Sequence, residues 1–343
     1  MRAVLFHEFG AVPELADVPA PQCPPRGAVI RVRATGLCRS DWHGWMGHDD
    51  DIRLPHVPGH ELAGVIEEVG AEVRGWKPGD RVTVPFVCAC GRCEQCLLGS
   101  QQVCDNQSQP GFTQWGSFAE LVAIAEADTN LVALPADLDF VSAAALGCRF
   151  ATAYRAVMTQ GRVRAGEWVA VHGCGGVGLS TIMIALAAGA KVVAVDVSEQ
   201  ALALAAELGA VVVPGTGDVA AAVREVTSGG AHLSLDAFGS AATCDNSIRG
   251  LRKRGRHVQV GLMTGEHARA PIPMDLVIAS ELEILGSHGM AAHEYPAMLA
   301  SIARGAIDPR MLVGRRISLG EVPEALATMA GSAHPGMTVI DLS

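Results

Sequence analysis

The feature that most constrains the fold is a glycine-rich turn at residues 173–178. Its sequence fits the pattern G-x-G-x-x-G and reads Gly173-Cys174-Gly175-Gly176-Val177-Gly178. A β-like segment precedes it, and an apolar segment with helical periodicity follows. Glycine allows a tight turn there and lets the backbone approach a pyrophosphate, whose charge free N–H groups at the helix N-terminus would hold. The turn therefore predicts a dinucleotide site in an α/β sheet.

The segments around this turn predict the architecture. Six strand-like segments alternate with helical ones, at residues 168–172, 191–195, 210–213, 232–238, 257–260 and 282–285. This alternation predicts a doubly wound parallel sheet. The first 120 residues read mainly as strands and turns, and a β-like segment returns at residues 337–342. Because 343 residues are too many for one ordinary core, we expect two domains.

Asp196 indicates the cofactor. It follows Gly178 by 18 residues, at the end of the next predicted strand, where a carboxylate can accept hydrogen bonds from the adenosine ribose hydroxyls. Neither Lys nor Arg occurs between Val197 and Glu207, so a 2′-phosphate would meet only the carboxylates of Asp196 and Glu199. We predict NAD rather than NADP.

A cysteine cluster predicts a structural zinc. The spacing is Cys90-x2-Cys93-x2-Cys96-x7-Cys104, which can close a tetrahedral site of four thiolates with no position left for chemistry. Cys88 lies two residues earlier, but Cys90 gives the regular spacing.

A second set of metal ligands lies between Cys38 and Glu61. Cys38 and His60 are too few for a tetrahedral zinc, and Cys148 is the most attractive third donor. The three would leave a fourth position for water or substrate, as a catalytic zinc requires. Taken singly, Cys38 and Cys148 are more typical of buried apolar residues, and only the other motifs favour the metal.

Composition limits the partners and the compartment. The net charge of −10 argues against nucleic acid and anionic membranes. The basic run at residues 252–256 is predicted to be a solvated helix end. No apolar run reaches the roughly 20 residues of a membrane span, and the N-terminus is not typical of a signal peptide. We therefore expect a cytoplasmic protein whose ten cysteines are metal ligands or spectators.

Together these motifs resemble the zinc-dependent medium-chain alcohol dehydrogenases, and the likeness extends over essentially the whole chain. The resemblance implies a GroES-like catalytic domain at residues 1–150 and 290–343. A Rossmann NAD-binding domain at residues 151–289 would interrupt it.

The same resemblance assigns roles around the metal. It gives Cys38, His60 and Cys148 to the catalytic zinc, which with the four-cysteine zinc makes two ions per subunit. Asp41 matches a carboxylate that orients the zinc histidine. Glu61 matches a glutamate that can approach the metal during ligand exchange.

Proton and cofactor roles are also implied by the resemblance. Ser40 matches the hydroxyl that touches the substrate oxygen, and His43 the histidine at the outer end of the proton relay. The implied cofactor contacts, besides the glycine turn, are Arg39 at the pyrophosphate, Thr152 near the nicotinamide, and Val260 and Ser287 at the carboxamide.

The resemblance implies reversible oxidation of an aromatic or aliphatic alcohol, primary or secondary, to an aldehyde or ketone. By the same resemblance, the compact stretch between the catalytic ligands implies a homotetramer. Two alternatives stay open: a polyol or amino-alcohol dehydrogenase of the same fold, and a non-catalytic protein that binds zinc and nucleotide. Several large side chains either line a substrate pocket or pack in the core: Trp42, Trp45, Met46, Phe112 and Trp115.

Overall fold

The structure is a computed structural model that describes residues 1–329 and 336–343, so residues 330–335 of the predicted GroES-like domain lie outside the described residues. The chain forms two compact units. One comprises Met1–Ala151, Gly289–Ala303 and Asp308–Ser343, and the other Thr152–His288 with Arg304–Ile307. Among the described residues, none of the helices combines the length and the apolar character that crossing a bilayer demands.

The first 120 residues are mainly β, as predicted, and further short strands and helices follow up to residue 150. The strands are β1 (Arg2–Leu5), β2 (Glu14–Asp17), β3 (Ala28–Leu37), β4 (Glu61–Val69), β5 (Arg81–Thr83), β6 (Leu121–Ile124) and β7 (Val132–Ala133). The helices are short: α1 (Arg39–Trp45), α2 (Glu94–Leu97), α3 (Ala127–Asn130) and α4 (Phe140–Ala144), with a 3-10 turn at Gln101–Val103. After α4 the chain continues as a wider π-helical segment, Leu146–Phe150.

The second unit alternates strands and helices. Its strands are β8 (Trp168–His172), β9 (Lys191–Asp196), β10 (Val211–Pro214), β11 (Ala231–Asp236), β12 (Leu251–Gln259) and β13 (Glu283–Gly286). Its helices are α5 (Ala151–Arg155), α6 (Gly176–Ala187), α7 (Glu199–Glu207), α8 (Val219–Val226), α9 (Ala241–Arg249) and α10 (Met274–Ser280), with a π segment at Ala156–Gln160 and a 3-10 turn at Gly265–Arg269.

The six strands of this unit form one parallel sheet in the order β10-β9-β8-β11-β12-β13. The predicted doubly wound sheet is confirmed. The order reverses between β8 and β11, and ligands of such sheets bind where the order reverses, beyond the carboxyl ends of the strands.

The chain then returns to the first unit. It adds α11 (Tyr295–Ala303), β14 (Val313–Ile317), α12 (Val322–Thr328) and β15 (Met337–Asp341), with 3-10 turns at Ala292–Glu294, Pro309–Leu312 and Leu319–Glu321. The sheet of this unit has the order β14-β15-β3-β4-β5-β7, and β6 also pairs with β3. The long strand β3 is thus central, and it ends one residue before Cys38.

Several elements differ from the sequence prediction, and β14 and α12 are among those that were not predicted. The basic run at residues 252–256 is not a helix end but the first part of β12. Arg252 donates to the Gly230 carbonyl, and Arg256 pairs with Glu167 at 2.6 Å. The helix α10 was not predicted, because its seven residues are too few to show helical periodicity.

Two histidines are buried in the parallel sheet. Nδ1 of His257 lies 2.8 Å from Oγ of Ser247. Within the described part of the chain, Nε2 of His257 and of His172 have no hydrogen-bond partner. Burial lowers the pKa of His172 to about 3, with a further contribution from the nearby His257 ring, and burial lowers the pKa of His257 to about 4. Both rings are therefore neutral in the folded protein near neutral pH.

This burial predicts a loss of stability in mild acid. The rings protonate in the unfolded chain below their ordinary pKa of 6.5 but not in the folded one, so stability is full above that pH and falls as the pH drops towards the folded pKa. Between about pH 7.5 and about pH 5.5 each ring lowers the free energy of unfolding by about 1.4 kcal/mol.

Urea unfolding of His172→Gln and His257→Gln at the two pH values checks this. We expect each variant to show a pH dependence smaller than that of the wild type by about 1.4 kcal/mol. His7→Gln removes an exposed ring and is the control, with an unchanged dependence. A wild-type dependence in both sheet variants would contradict the assignment.

Candidate active site

Three metal-binding side chains converge in the first unit. The donor atoms of Cys38, His60 and Cys148 all lie within 4.8 Å of one another. Cys38 stands between β3 and α1, His60 directly precedes β4, and Cys148 lies in the π-helical segment. A π-helical turn is frequent at functional sites. The fold thus brings together the three ligands that the sequence predicted.

Asp41 holds two of these ligands in place. Its Oδ1 accepts from Nδ1 of His60 at 2.9 Å and from the backbone N–H of Gly59 at 3.1 Å. Its Oδ2 accepts from the backbone N–H of Cys38 at 2.8 Å. The carboxylate is only 1% exposed, so these bonds are made without competition from water.

The His60 ring is oriented for a metal. Burial by itself lowers the pKa of His60, but the Asp41 carboxylate and the Cys38 sulfur together outweigh burial and raise the pKa well above its usual value. Nε2 of His60 is buried next to the Cys38 sulfur, and no hydrogen-bond partner for it exists among the residues that the structure describes. A buried nitrogen of this kind needs a partner, and a zinc ion between it and the two sulfurs would supply one.

The two thiols interact with each other, and this interaction shifts their pKa values in opposite directions. A hydrogen bond from Cys148 lowers the pKa of Cys38 well below its usual value, and the same bond raises the pKa of Cys148. The thiolate is the form that binds metals. Two sulfurs and one imidazole nitrogen, with no fourth donor grouped with them among the described residues, are the ligand set of an open zinc site.

Glu61 lies beside this group but is bound by an arginine. Its Oε1 accepts from the backbone N–H of Arg149 at 2.9 Å and from Nε at 3.0 Å, and its Oε2 accepts from Nη2 at 2.5 Å. Burial raises the pKa of Glu61, and the Arg149 guanidinium opposes this shift. Sequence reasoning missed Arg149, although its position next to Cys148 is the signal that could have drawn attention to it.

The residues predicted to move a proton lie on α1. Oγ of Ser40 is 3.8 Å from the Cys38 sulfur. Nδ1 of His43 lies 3.0 Å from Nδ1 of His48. Burial and then the Arg39 and His48 charges lower the pKa of His43, so this ring is neutral and can accept a proton near neutral pH. Arg39 itself stacks 4.1 Å from the centre of the Trp42 ring.

Aromatic rings flank His60. The centre of the Phe112 ring is 5.2 Å from that of His60, and the centre of the Phe86 ring is 6.2 Å away. Trp45 is buried in the core and donates its indole N–H to the carbonyl of Ala11, whereas Trp42 is partly buried and Met46 and Trp115 are exposed. The ligand set is therefore bordered by an apolar aromatic surface.

The four-cysteine cluster forms a second, closed group. The donor atoms of Cys90, Cys93, Cys96 and Cys104 all lie within 4.8 Å of one another. Backbone N–H groups of Cys90 and Asn106 point at the Cys104 sulfur, both at 3.3 Å. The sulfur of Cys88 points elsewhere, towards the Pro85 carbonyl. Four sulfurs at this spacing suit a structural zinc.

In the second unit the glycine turn joins β8 to α6. Gly173 has φ +93°, and a Cβ at Gly178 would lie 1.8 Å from the Gly173 carbonyl oxygen, so a side chain at either position would disrupt the turn. Asp196 ends β9 beside it: Oδ2 accepts from the N–H of Cys174 at 2.6 Å, and Oδ1 from the N–H of Ser198 at 2.8 Å. The turn, the helix N-terminus and the carboxylate thus adjoin one another.

The remaining predicted cofactor residues also lie in this unit. The N–H of Val260 donates to the Asp236 carbonyl, and the N–H of Ser287 donates to the Gln259 carbonyl. Over the described ranges, the buried hydroxyls of Thr152 and Ser287 have no hydrogen-bond partner. Their roles toward a cofactor stay predictions.

An open ligand set of two thiols and an imidazole, in a chain that also holds a Rossmann sheet with a glycine turn, defines a dehydrogenase. Family models agree: residues 24–136 match the alcohol dehydrogenase GroES-like domain and residues 176–304 the zinc-binding dehydrogenase domain. The chain belongs to the zinc-dependent medium-chain alcohol dehydrogenase family and is an oxidoreductase acting on alcohols. Both predictions are confirmed.

Individual proteins show the extent of the similarity. An alcohol dehydrogenase of Geobacillus stearothermophilus is 36% identical over 293 residues, which is 84% of either chain. The crystal structure of an NAD-dependent alcohol dehydrogenase superposes with a TM-score of 0.90 at 32% identity and covers 100% of both chains. The alcohol dehydrogenase of Thermus sp. ATN1 has a TM-score of 0.92 at 31% identity, with 99% of both chains covered.

The three bonds of Asp41 predict the effect of Asp41→Asn. An amide has only one acceptor oxygen. If that oxygen accepts from His60 and Gly59, the NH2 group faces the N–H of Cys38, donor against donor; if it accepts from Cys38, the bonds to His60 and Gly59 are lost. We expect the affinity for one zinc equivalent to fall about 10- to 100-fold and the free energy of unfolding to fall by about 1–3 kcal/mol. Competition with a zinc chelator and urea unfolding measure the two effects. Asp50→Asn, an exposed carboxylate, is the control; an unchanged zinc affinity in Asp41→Asn would refute the orienting role.

Proposed function

We propose that this protein is an NAD- and zinc-dependent alcohol dehydrogenase that interconverts a primary or secondary alcohol, aromatic or aliphatic, with its aldehyde or ketone. The observation that carries the proposal is the unpartnered Nε2 of His60 beside two thiols. Among residues 1–329 and 336–343, which the structure describes, this nitrogen has no hydrogen-bond partner. Membership of the family supplies the reaction class.

Cys38, His60 and Cys148 would hold the catalytic zinc, and Cys90, Cys93, Cys96 and Cys104 the structural one. A zinc ion in the open site supplies a Lewis acid that makes the hydroxyl of an alcohol easier to deprotonate. Asp41 orients His60 for this role through the bond to Nδ1, which leaves Nε2 for the metal.

NAD is the proposed hydride acceptor. The free N–H groups at the start of α6 suit a pyrophosphate, and Asp196 suits the adenosine ribose hydroxyls. The carboxylates of Asp196 and Glu199 would repel a 2′-phosphate. The similarity to a structure described as an NAD-dependent alcohol dehydrogenase supports the same choice. Arg39, Thr152, Val260 and Ser287 are the further proposed cofactor contacts.

The chain's own groups would remove the proton that leaves the substrate hydroxyl. Ser40 lies beside Cys38 and would accept a hydrogen bond from the substrate oxygen at its Oγ. His43 would release the proton to solvent, since its lowered pKa keeps the ring neutral and able to accept. His48, at 3.0 Å, is the next group towards solvent.

The aromatic rings beside His60 favour an apolar substrate. Phe112 and Phe86 border the ligand set, and these rings offer apolar surface rather than the hydrogen bonds that a polyol needs.

The homotetramer and the cytoplasmic location stay predictions, as does the absence of nucleic-acid and membrane partners.

The first test is a spectroscopic assay of purified holoenzyme with a panel of alcohols and NAD. We expect NADH absorbance to rise, the rate with NAD to exceed that with NADP, and two zinc equivalents per chain. Cys38→Ser removes a metal ligand, and we expect kcat to fall about 1,000-fold because several kcal/mol of charge stabilisation are lost.

The control for this assay is Cys23→Ser, which changes a cysteine outside both metal groups and leaves the rate unchanged. If zinc-loaded protein oxidised none of the alcohols and reduced none of the corresponding aldehydes or ketones with NADH, it would be a non-catalytic member of the fold. A faster rate with NADP would refute the cofactor assignment.

A separate prediction concerns His43→Gln. We expect alcohol oxidation to slow most below neutral pH, by about 10- to 100-fold. The loss should shrink at higher pH, where solvent hydroxide can take the proton. The pH dependence of kcat/KM for alcohol oxidation measures this, with His7→Gln as the control at an exposed histidine. A pH profile identical to that of the wild type would refute the proton-transfer role of His43.

A further inference from the structure

We propose that Arg149 and Glu61 form a fixed buried pair that sets the position of the ligand Cys148 and keeps the Glu61 carboxylate out of the metal coordination. This inference rests on the proposed zinc site. It replaces the role expected for Glu61, which was to approach the metal during ligand exchange. Both residues are positioning residues, because they act on the metal only through Cys148.

Glu61 is held by three hydrogen bonds from Arg149. Nε and Nη2 of Arg149 face the two carboxylate oxygens as a fork, at 3.0 and 2.5 Å. This bidentate geometry is the strongest that an arginine makes with a carboxylate. The backbone N–H of Arg149 also donates to Oε1 at 2.9 Å, and this N–H belongs to the peptide that follows Cys148. Glu61 therefore fixes the main chain directly at the ligand.

Gly147, the residue before Cys148, is also held in place. Its carbonyl accepts from the hydroxyl of Tyr295 at 3.0 Å, and Tyr295 is fully buried. A Cβ at Gly147 would lie 2.9 Å from Cα of Glu61, so the two backbones approach as closely as a glycine permits. Cys148 is thus anchored on both sides, at Gly147 by Tyr295 and at Arg149 by Glu61.

The Glu61–Arg149 pair is closely surrounded by protein. Glu61 is fully buried, and the Arg149 side chain is 9% exposed. A Cβ at Gly36, on the neighbouring strand β3, would lie 2.1 Å from Oε2 of Glu61 and 2.8 Å from Nη2 of Arg149. Strand β3 therefore has a glycine where any side chain would collide with the pair, so the pair occupies the space that the missing side chain leaves.

The Glu61 carboxylate lies outside the group of metal ligands. At this site, the donor atoms that lie within 4.8 Å of one another are those of Cys38, His60 and Cys148, and Glu61 does not belong to this group. To reach the metal its carboxylate would have to leave Arg149, and the guanidinium would then be buried without a counter-charge. The pair therefore favours a state in which Glu61 is not a ligand.

The experiment is the rate of zinc release from holoenzyme to an excess of a colorimetric chelator. Zinc release from two sites should have two kinetic phases. Cys38→Ser protein keeps only the four-cysteine zinc, so its single phase identifies the release from that site. We expect Glu61→Gln and Arg149→Lys to release the other zinc at least about tenfold faster, because Cys148 loses its anchor. The phase of the four-cysteine site should not change.

Thr83→Val is the matched control. It removes a buried hydrogen bond of 2.7 Å to the carbonyl of Leu62, the residue after Glu61, and leaves the pair intact. We expect its zinc release to match that of the wild type. Because removing one partner of a buried ion pair can unfold a protein, the double variant Glu61→Gln/Arg149→Met, which keeps volume without charge, is tested alongside and should show the same acceleration.

The outcomes separate the two proposals. Slower release from Glu61→Gln would show that Glu61 enters the coordination and assists exchange, which overturns the inference. Unchanged release in the Glu61 and Arg149 variants, with two zinc equivalents present, overturns it as well and leaves the proposed function standing. Only one zinc equivalent in the wild type would instead contradict the proposed catalytic site itself.

Discussion

The candidate site depends on one buried carboxylate. Asp41 accepts from three donors on two separate pieces of chain: the N–H of Cys38 after β3, and the N–H of Gly59 and the ring of His60 before β4. Each of these donors is buried, so each would cost free energy without an acceptor. Asp41 therefore both holds the loops together and sets which ring nitrogen faces the thiols. The rest of the site, including the placement of Cys38, builds on that geometry.

The same physical logic separates the two groups of thiols. Around Cys90 and Cys104, backbone N–H groups and four sulfurs satisfy one another in a closed arrangement suited to a structural ion. Around Cys38 there are two sulfurs, and the His60 nitrogen has no hydrogen-bond partner among the described residues. The four-cysteine group supplies all four ligands of a tetrahedral ion, whereas the group at Cys38 supplies three and leaves the fourth position to water or substrate. Chemistry is possible only at the second.

Much of the fold was predictable because it follows from local patterns. The alternation of strands and helices after residue 168 produced the parallel sheet, and the glycine turn lies where a strand meets a helix. The basic run at residues 252–256 was misassigned because its charges suggested solvent. Arg252 and Arg256 are instead partly or largely buried, and they find a carbonyl and a carboxylate partner in the residues just before β11 and β8. Such partners are distant in sequence, and periodicity cannot reveal them.

The sequence by itself determined the ligand types, the glycine turn and the family, since each depends on residue identity at short spacing. Tertiary structure alone decided which charges meet. Glu61 and Arg149 are 88 residues apart, and only the fold shows that they pair beside Cys148. His43 and His48 likewise meet only because the chain turns back after α1. Burial makes these encounters matter, because a charge or a ring nitrogen removed from water must find its partner within the protein.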